Sequence, residues 1–240
     1  MIILKGLTGK INRFVKNVLF ADSTMSNREV FPAGSIYQYS LPDDGRQPDQ
    51  FAILFSGDGG WANLTTALAT RFQNEGIPVA GIDCMVCFWK EWQAEQAAKA
   101  LEKLINDCEA EWHAERIVLM GYSMGADVLP GIASRLSEET RNKIEAIVLM
   151  SPSNHVVFTF RFIGWLGFAT PAGSGSAIYP DVEKLLPKPL LCIAGEREKH
   201  TLAKNIPKDK ATVKLLPGGH HYSGDYDRLG DVVTEFLAGI

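Results

Sequence analysis

Val118-Leu119-Met120-Gly121-Tyr122-Ser123-Met124-Gly125-Ala126-Asp127 passes from an apolar run through Gly-x-Ser-x-Gly into a small-residue helix start. A serine hydroxyl is a poor nucleophile until something aims it and takes its proton. A sharp strand-to-helix turn does the aiming. It lifts the Ser123 side chain clear of the backbone and leaves the following amides pointing at the same spot. Gly121 and Gly125 fall where a Cβ would strike the neighbouring chain in so tight a turn. The helix that follows adds its positive N-terminal end. Gly-x-Ser-x-Gly alone is only moderately specific, so its context matters. Residues 116–120 read as a buried strand and 126–136 as a helix, which is the setting a nucleophile elbow requires.

Working outward, strands and helices alternate. Expected strands cover 35–41, 51–55, 77–84, 143–150, 189–195 and 211–216. Expected helices cover about 61–74, 91–112 and 226–237. Apolar strands alternating with helices imply a mostly parallel central sheet with helices on both faces, and the elbow makes it an α/β-hydrolase fold. The 240 residues suit one large core, assigned to 30–240. Two stretches break the pattern. Residues 1–22 carry Lys5, Lys10, Arg13 and Lys16 opposite an apolar face of Leu4, Leu7, Ile11, Phe14, Val15 and Val18. This amphipathic segment either lies on an anionic membrane or packs on the domain with its lysines in solvent. Residues 154–185 carry Phe158, Phe160, Phe162, Trp165 and Phe168, a short aromatic cap-like insertion where such folds place a lid; the plain alternative is an excursion packed on the domain.

Composition narrows the function. Hydrophobic residues make up 46%, charged residues 22%, and the net charge is -4, so nothing points to nucleic acid. No apolar run is long enough to span a membrane. Cys84 and Cys87 form a C-x-x-C without a thioredoxin-like setting. With Cys108 and Cys192 they read as four free thiols, which fits a reducing compartment. No metal-ligand spacing occurs. The glycine-rich 57–60 stretch lacks the Gly-Lys-Ser/Thr of a nucleotide loop, so neither metal nor cofactor is expected.

A serine hydrolase needs a base and an orienting acid, which in this fold follow in the order Ser, acid, His. His220 and His221 follow an expected strand in Pro217-Gly218-Gly219-His220-His221-Tyr222, the place for the base. His220 is the first choice and His221 the alternative. His113, His155 and His200 stand alone and read as solvated. The acid should follow the strand ending Leu191-Cys192-Ile193-Ala194-Gly195. Glu198 takes that role, with Glu196 as its rival. The other usual acid position, after Met150, reads Ser151-Pro152-Ser153-Asn154 and holds no carboxylate. The oxyanion needs two fixed N–H donors. Met124 supplies one at the elbow, and Asp58 supplies the other from the loop after Phe55.

These residues together resemble the VirJ/AcvB family of bacterial virulence-associated α/β-hydrolases. The carriers are Phe55-Ser56-Gly57-Asp58-Gly59-Gly60-Trp61, Phe88-Trp89, the elbow extended through Val128-Leu129-Pro130, Trp165-Leu166-Gly167, and Leu216 through Tyr222. The resemblance covers roughly residue 51 to the C-terminus. It implies a Ser–acid–His hydrolase removing lysine or alanine from aminoacyl-phosphatidylglycerol at the outer face of the inner membrane, with links in some members to type IV secretion proteins. This chain departs in two places. Residues 1–22 show no export signal, which by itself points to the cytoplasm or a membrane surface rather than the family's periplasm. Lys199-His200 follow Glu198 where a further acid is expected.

An aminoacyl ester carries an amine, so the implied substrate calls for a carboxylate near the acyl pocket. Asp58, Asp83 and Asp127 all fall at strand ends or on the elbow helix. Any of the three could face the amine; Asp83 is the expected partner, while Asp127 could instead brace the elbow and Asp58 could bond its own loop. Gly57, Tyr122, Asp127 and His221 complete the expected substrate site. Two other functions compete: a general carboxylesterase or thioesterase, and a non-catalytic binding protein associated with secretion.

Overall fold

The computed structural model describes residues 30–42, 47–156 and 175–240. The amphipathic reading of 1–22 and the aromatic reading of 158–168 lie outside these described residues.

Continuous apolar runs in the sequence become strands buried on both faces. In chain order the elements are β1 (Ile36–Tyr39), β2 (Gln50–Phe55), α1 (Asn63–Asn74), β3 (Val79–Ile82), α2 (Cys84–Cys87), α3 (Ala94–Trp112), β4 (Arg116–Tyr122), α4 (Met124–Ala133), α5 (Glu138–Lys143) and β5 (Ile144–Met150). Then follow β6 (His155–Val156), β7 (Ser176–Ala177), α6 (Tyr179–Glu183), β8 (Leu190–Gly195), β9 (Thr212–Leu216) and α7 (Tyr226–Ala238). Seven strands form one sheet in the order β1-β3-β2-β4-β5-β8-β9. Only the edge pair β1/β3 is antiparallel. All carboxyl ends of the parallel strands therefore open on one rim, and loops from that rim build the site.

Alternation along the strands divides the core in two. Phe51, Ile53 and Phe55 of β2, with Ile117 and Leu119 of β4, face one layer. Ala52 and Leu54, with Val118 and Met120, face the other. On the first side lies α3, whose Ala97, Leu101, Ile105, Cys108 and Trp112 recur at helical spacing and are buried. The elbow helix α4 is wedged between α3 and the sheet, which is why its sequence from Val128 to Ala133 is apolar all round. On the second side Leu68 and Phe72 of α1 meet Leu229 and Val233 of α7. Each such side chain, fully removed from water, contributes about 1.5–3 kcal/mol.

The structure corrects several boundaries. The expected strand over 77–84 ends at Ile82. Asp83 then turns the chain by capping α2, its side chain accepting from the Val86 N–H. On the described flanks of the 154–185 stretch, β6 pairs antiparallel with β7. Helix α5 has no counterpart among the expected helices because its sequence, Glu-Glu-Thr-Arg-Asn-Lys, has no apolar stripe. Its stability comes from the Ser137 cap, and Glu102 of α3 accepts from the Ser137 N–H and hydroxyl. No helix of the described residues is long and apolar enough to cross a membrane.

Candidate active site

Ser123 sits between β4 and α4 with φ 53° and ψ -120°, a conformation that costs a non-glycine residue about 1–3 kcal/mol. The surroundings impose it. The Ser123 N–H donates to Met150 O at 2.9 Å, and Ser123 O accepts from the Asp127 N–H at 3.0 Å. The flanking glycines are there for space. A Cβ on Gly121 would lie 2.5 Å from Gly125 O, and one on Gly125 would lie 2.5 Å from Ser56 O. The chain passes this point only without those side chains.

The loop after β9 brings His220 over the elbow. Its Nε2 lies 2.7 Å from Ser123 Oγ and its Nδ1 lies 2.8 Å from Glu198 Oε1. With the Nδ1 proton held on the carboxylate, Nε2 is left as the acceptor for the serine hydroxyl. Glu198 is in turn fixed through Oε2, which accepts from the Gly195 N–H at 2.6 Å and from the Ser151 hydroxyl at 2.9 Å. Burial pushes the Glu198 carboxyl up, but the hydrogen bonds from His220, Gly195 and Ser151 outweigh it and hold it below its ordinary value. Glu196, the rival acid, is exposed, and its backbone N–H pairs with Leu216 O.

His221 occupies a different place. Its Nδ1 lies 2.7 Å from the Tyr122 hydroxyl, which also donates to His220 O at 3.1 Å. Tyr122 thus grips the His220–His221 turn from the strand beneath it. Burial is the main reason the Tyr122 hydroxyl is held far above its ordinary range, so it remains a donor. His221 lines the cleft but is not in the chain linking Ser123 to Glu198.

The glycine-rich loop lies opposite. Ser56 Oγ accepts from the Cys84 N–H at 2.9 Å, and Asp83 Oδ2 accepts from the Trp61 N–H at 3.2 Å, so both ends of the loop are tied to the exit of β3. Between them Gly57 passes against the Tyr122 ring, where an added Cβ would come within 3.3 Å. Asp58 lines the cleft beside Ser123. Among the described hydrogen bonds none uses the N–H of Asp58 or of Met124, the two donors expected for an oxyanion.

Two of the expected substrate contacts are placed elsewhere. Asp83 is only 4% exposed, is spent on the N–H groups of Trp61 and Val86, and does not line the cleft. The short helix α2 is the reason: it needed a cap where the sequence suggested a continuing strand. Asp127 takes the bracing role: its Oδ1 accepts from the Ser153 N–H and its Oδ2 lies against the Ser153 hydroxyl, at 2.7 Å each, tying α4 to the loop after β5. Burial raises its carboxyl to about 7. Sequence reasoning missed Ser151 and Tyr222. In the sequence Ser151 marks only a position without a carboxylate, yet its Oγ bonds Glu198 and lies 2.7 Å from the buried Tyr222 hydroxyl. Asn63, Thr65 and Tyr226, also lining the cleft, carry no sequence signal that would have singled them out.

All four cysteines are free and buried. Burial raises the Cys84 thiol well above its ordinary value and the Cys87 thiol to about 12, which disfavours the thiolate that redox exchange needs. Among the described residues no cluster of His, Cys, Asp or Glu could hold a metal ion.

The model of the bacterial virulence protein family VirJ matches residues 49–239. No curated protein sequence matches the chain. Among solved structures it is similar to MenH from S. aureus, at 15% identity and a TM-score of 0.63, over 86% of this chain and 98% of that one. It is also similar to Est1E from Butyrivibrio proteoclasticus, at 14% identity and a TM-score of 0.59, over 85% and 94%. A third is XC6422 from Xanthomonas campestris, described as an α/β serine hydrolase without lid, at 13% identity and a TM-score of 0.56, over 85% and 87%. These likenesses place the chain in the α/β-hydrolase fold.

Proposed function

The chain belongs to the bacterial virulence protein family VirJ, and on that premise we propose that it is a serine esterase whose substrate is the aminoacyl ester of aminoacyl-phosphatidylglycerol. The observation that carries the esterase reading is the unbroken link from Ser123 Oγ through His220 to Glu198, at 2.7 and 2.8 Å.

The chemistry follows from that link. Ser123 Oγ attacks the ester carbonyl carbon while His220 Nε2 takes its proton. Glu198 stabilises the imidazolium that results without being protonated itself. The carbonyl oxygen becomes an oxyanion, held by the N–H groups of Met124 and Asp58. Removing one such donor in comparable enzymes costs about 10²–10³ in rate. Collapse of the tetrahedral species breaks the bond to the alcohol, which leaves with the proton from His220. Water, activated by the same histidine, then attacks the acyl-serine and releases the free acid.

The aminoacyl-phospholipid substrate is supported by the resemblance of the Ser56–Trp61 and elbow blocks and by a cleft that carries a carboxylate but no lysine or arginine among its described lining. A general carboxylesterase or thioesterase would use the same residues. The binding-protein reading has the complete Ser–His–Glu link against it.

The test is release of free lysine or alanine from vesicles containing lysyl- or alanyl-phosphatidylglycerol, run beside a p-nitrophenyl acyl ester. Wild type should release the amino acid and label with a fluorophosphonate at Ser123; Ser123→Ala should do neither. Hydrolysis of the simple ester with no amino acid released rejects the phospholipid substrate. No turnover of either ester and no labelling reject the esterase.

A further inference from the structure

Among the described residues four carboxylates were candidates for the site, and three are already spent. Glu198 is held by His220, Gly195 and Ser151. Asp83 is held by the N–H groups of Trp61 and Val86. Asp127 is held by Ser153. The fourth, Asp58, is exposed, and among the described residues no hydrogen bond or ion pair engages its side chain. It lines the cleft of about 550 Å3 beside Ser123, whose described lining holds no lysine or arginine. Its charge still reaches into the site. After burial, which is the larger cause, Asp58 is one of the groups that raise Tyr122 and Asp127.

A carboxylate left without a cation in a cleft next to a nucleophile stabilises a positive charge on whatever binds there. Asp58 is also constrained in position. Its own backbone N–H is the second donor of the proposed oxyanion site, and a donor in that role keeps the carboxylate within a short side chain of the reacting carbonyl. An ammonium on the carbon next to that carbonyl falls within the same span.

We infer that the Asp58 side chain is the specificity-determining contact for esters that carry a protonated amine next to the scissile carbonyl. This rests on the esterase reading of Ser123 and adds the residue that selects the acyl group. The backbone N–H and the carboxylate of one residue then act on one acyl unit, the first on its oxygen and the second on its amine.

The experiment uses two soluble esters that differ only in the amine: alanine benzyl ester and benzyl propionate. Wild type should favour the alanine ester in kcat/KM. Asp58→Asn should lower that preference by about tenfold or more, equivalent to about 1.4 kcal/mol, and Asp58→Glu should restore most of it. Any loss acting through His220 or the oxyanion would reduce both esters alike and leave the ratio untouched. A second measurement needs no variant: alaninamide should slow fluorophosphonate labelling of wild-type Ser123 more than propionamide does. An unchanged ratio in Asp58→Asn, or equal protection by the two amides, overturns the role of Asp58 while leaving the esterase standing. Failure of wild type to cleave either ester, with no labelling of Ser123, overturns both.

Discussion

The Ser151 hydroxyl donates to Glu198 Oε2 over 2.9 Å, joining the carboxyl ends of β5 and β8 behind the histidine. Ser151 is itself held at φ 51°, its N–H donates to Ile193 O at 2.7 Å, and its Oγ lies 2.7 Å from the Tyr222 hydroxyl. The strand end that holds no acid thus supports the acid on its neighbour. Ser151→Ala removes one of the donors that hold Glu198 ionised. We expect kcat on a neutral ester to fall by about tenfold, the scale of one lost hydrogen bond to a charged group. The fold should stay intact by circular dichroism. An unchanged kcat would leave Ser151 as packing alone.

The proposed triad predicts an order of severity. Ser123→Ala and His220→Ala should each cost several orders of magnitude in kcat, about 10⁴-fold or more, because they act as one unit. Glu198→Gln should cost less, since Gly195 and Ser151 can still hold the side chain. His221→Ala should cost least, because His221 bonds Tyr122 rather than Ser123. Steady-state kinetics on a p-nitrophenyl ester ranks all four, and a reversed order of the two histidines would transfer the base to His221.

Asp83→Ala should act on stability rather than specificity. It strips the Trp61 and Val86 N–H groups of their acceptor and uncaps α2. The loss should be about 2 kcal/mol or more, read as a shift in the urea midpoint. Rates on charged and neutral esters should change in the same proportion. A selective loss on the charged ester would restore Asp83 as the amine contact.

Asp127 gives a pH dependence with a definite sign. Its carboxyl is raised to about 7 in the fold, so the folded state binds the extra proton. Stability from this group is full below the unfolded value near 3.9 and is lost as pH rises through about 7. The neutral form also suits the hydrogen bonds. A proton on Oδ2 can be donated to Ser153 Oγ, which already donates to His155 O at 2.8 Å. Asp127→Asn mimics that form. Thermal unfolding should therefore show the variant at least as stable as wild type at pH 8, with its relative advantage shrinking as pH falls to about 5. A wild-type advantage that grows with pH would mean the fold holds the carboxyl below, not above, its unfolded value.

The sequence alone was enough for everything set by local geometry and by periodicity. Gly121-Tyr122-Ser123-Met124-Gly125 specifies a turn that only small flanking residues can make, and the continuous apolar runs at 51–55, 117–120 and 189–195 specify strands buried on both faces. From these the α/β-hydrolase fold and the elbow that carries Ser123 follow without coordinates. Glu198 and His220 were legible as positions at strand ends, because the fold delivers those ends to one rim. Which way their side chains point was decided only by tertiary structure. His220 and His221 are adjacent and chemically identical, and the Tyr122 hydroxyl, brought from β4, engages one ring and leaves the other facing Ser123. The roles of Asp83, Asp127 and Asp58 were likewise invisible in the chain. A carboxylate is spent or left free according to which N–H and hydroxyl groups surround it. Those groups come from α2, the loop after β5 and the loop after β2, which meet only when the sheet is assembled.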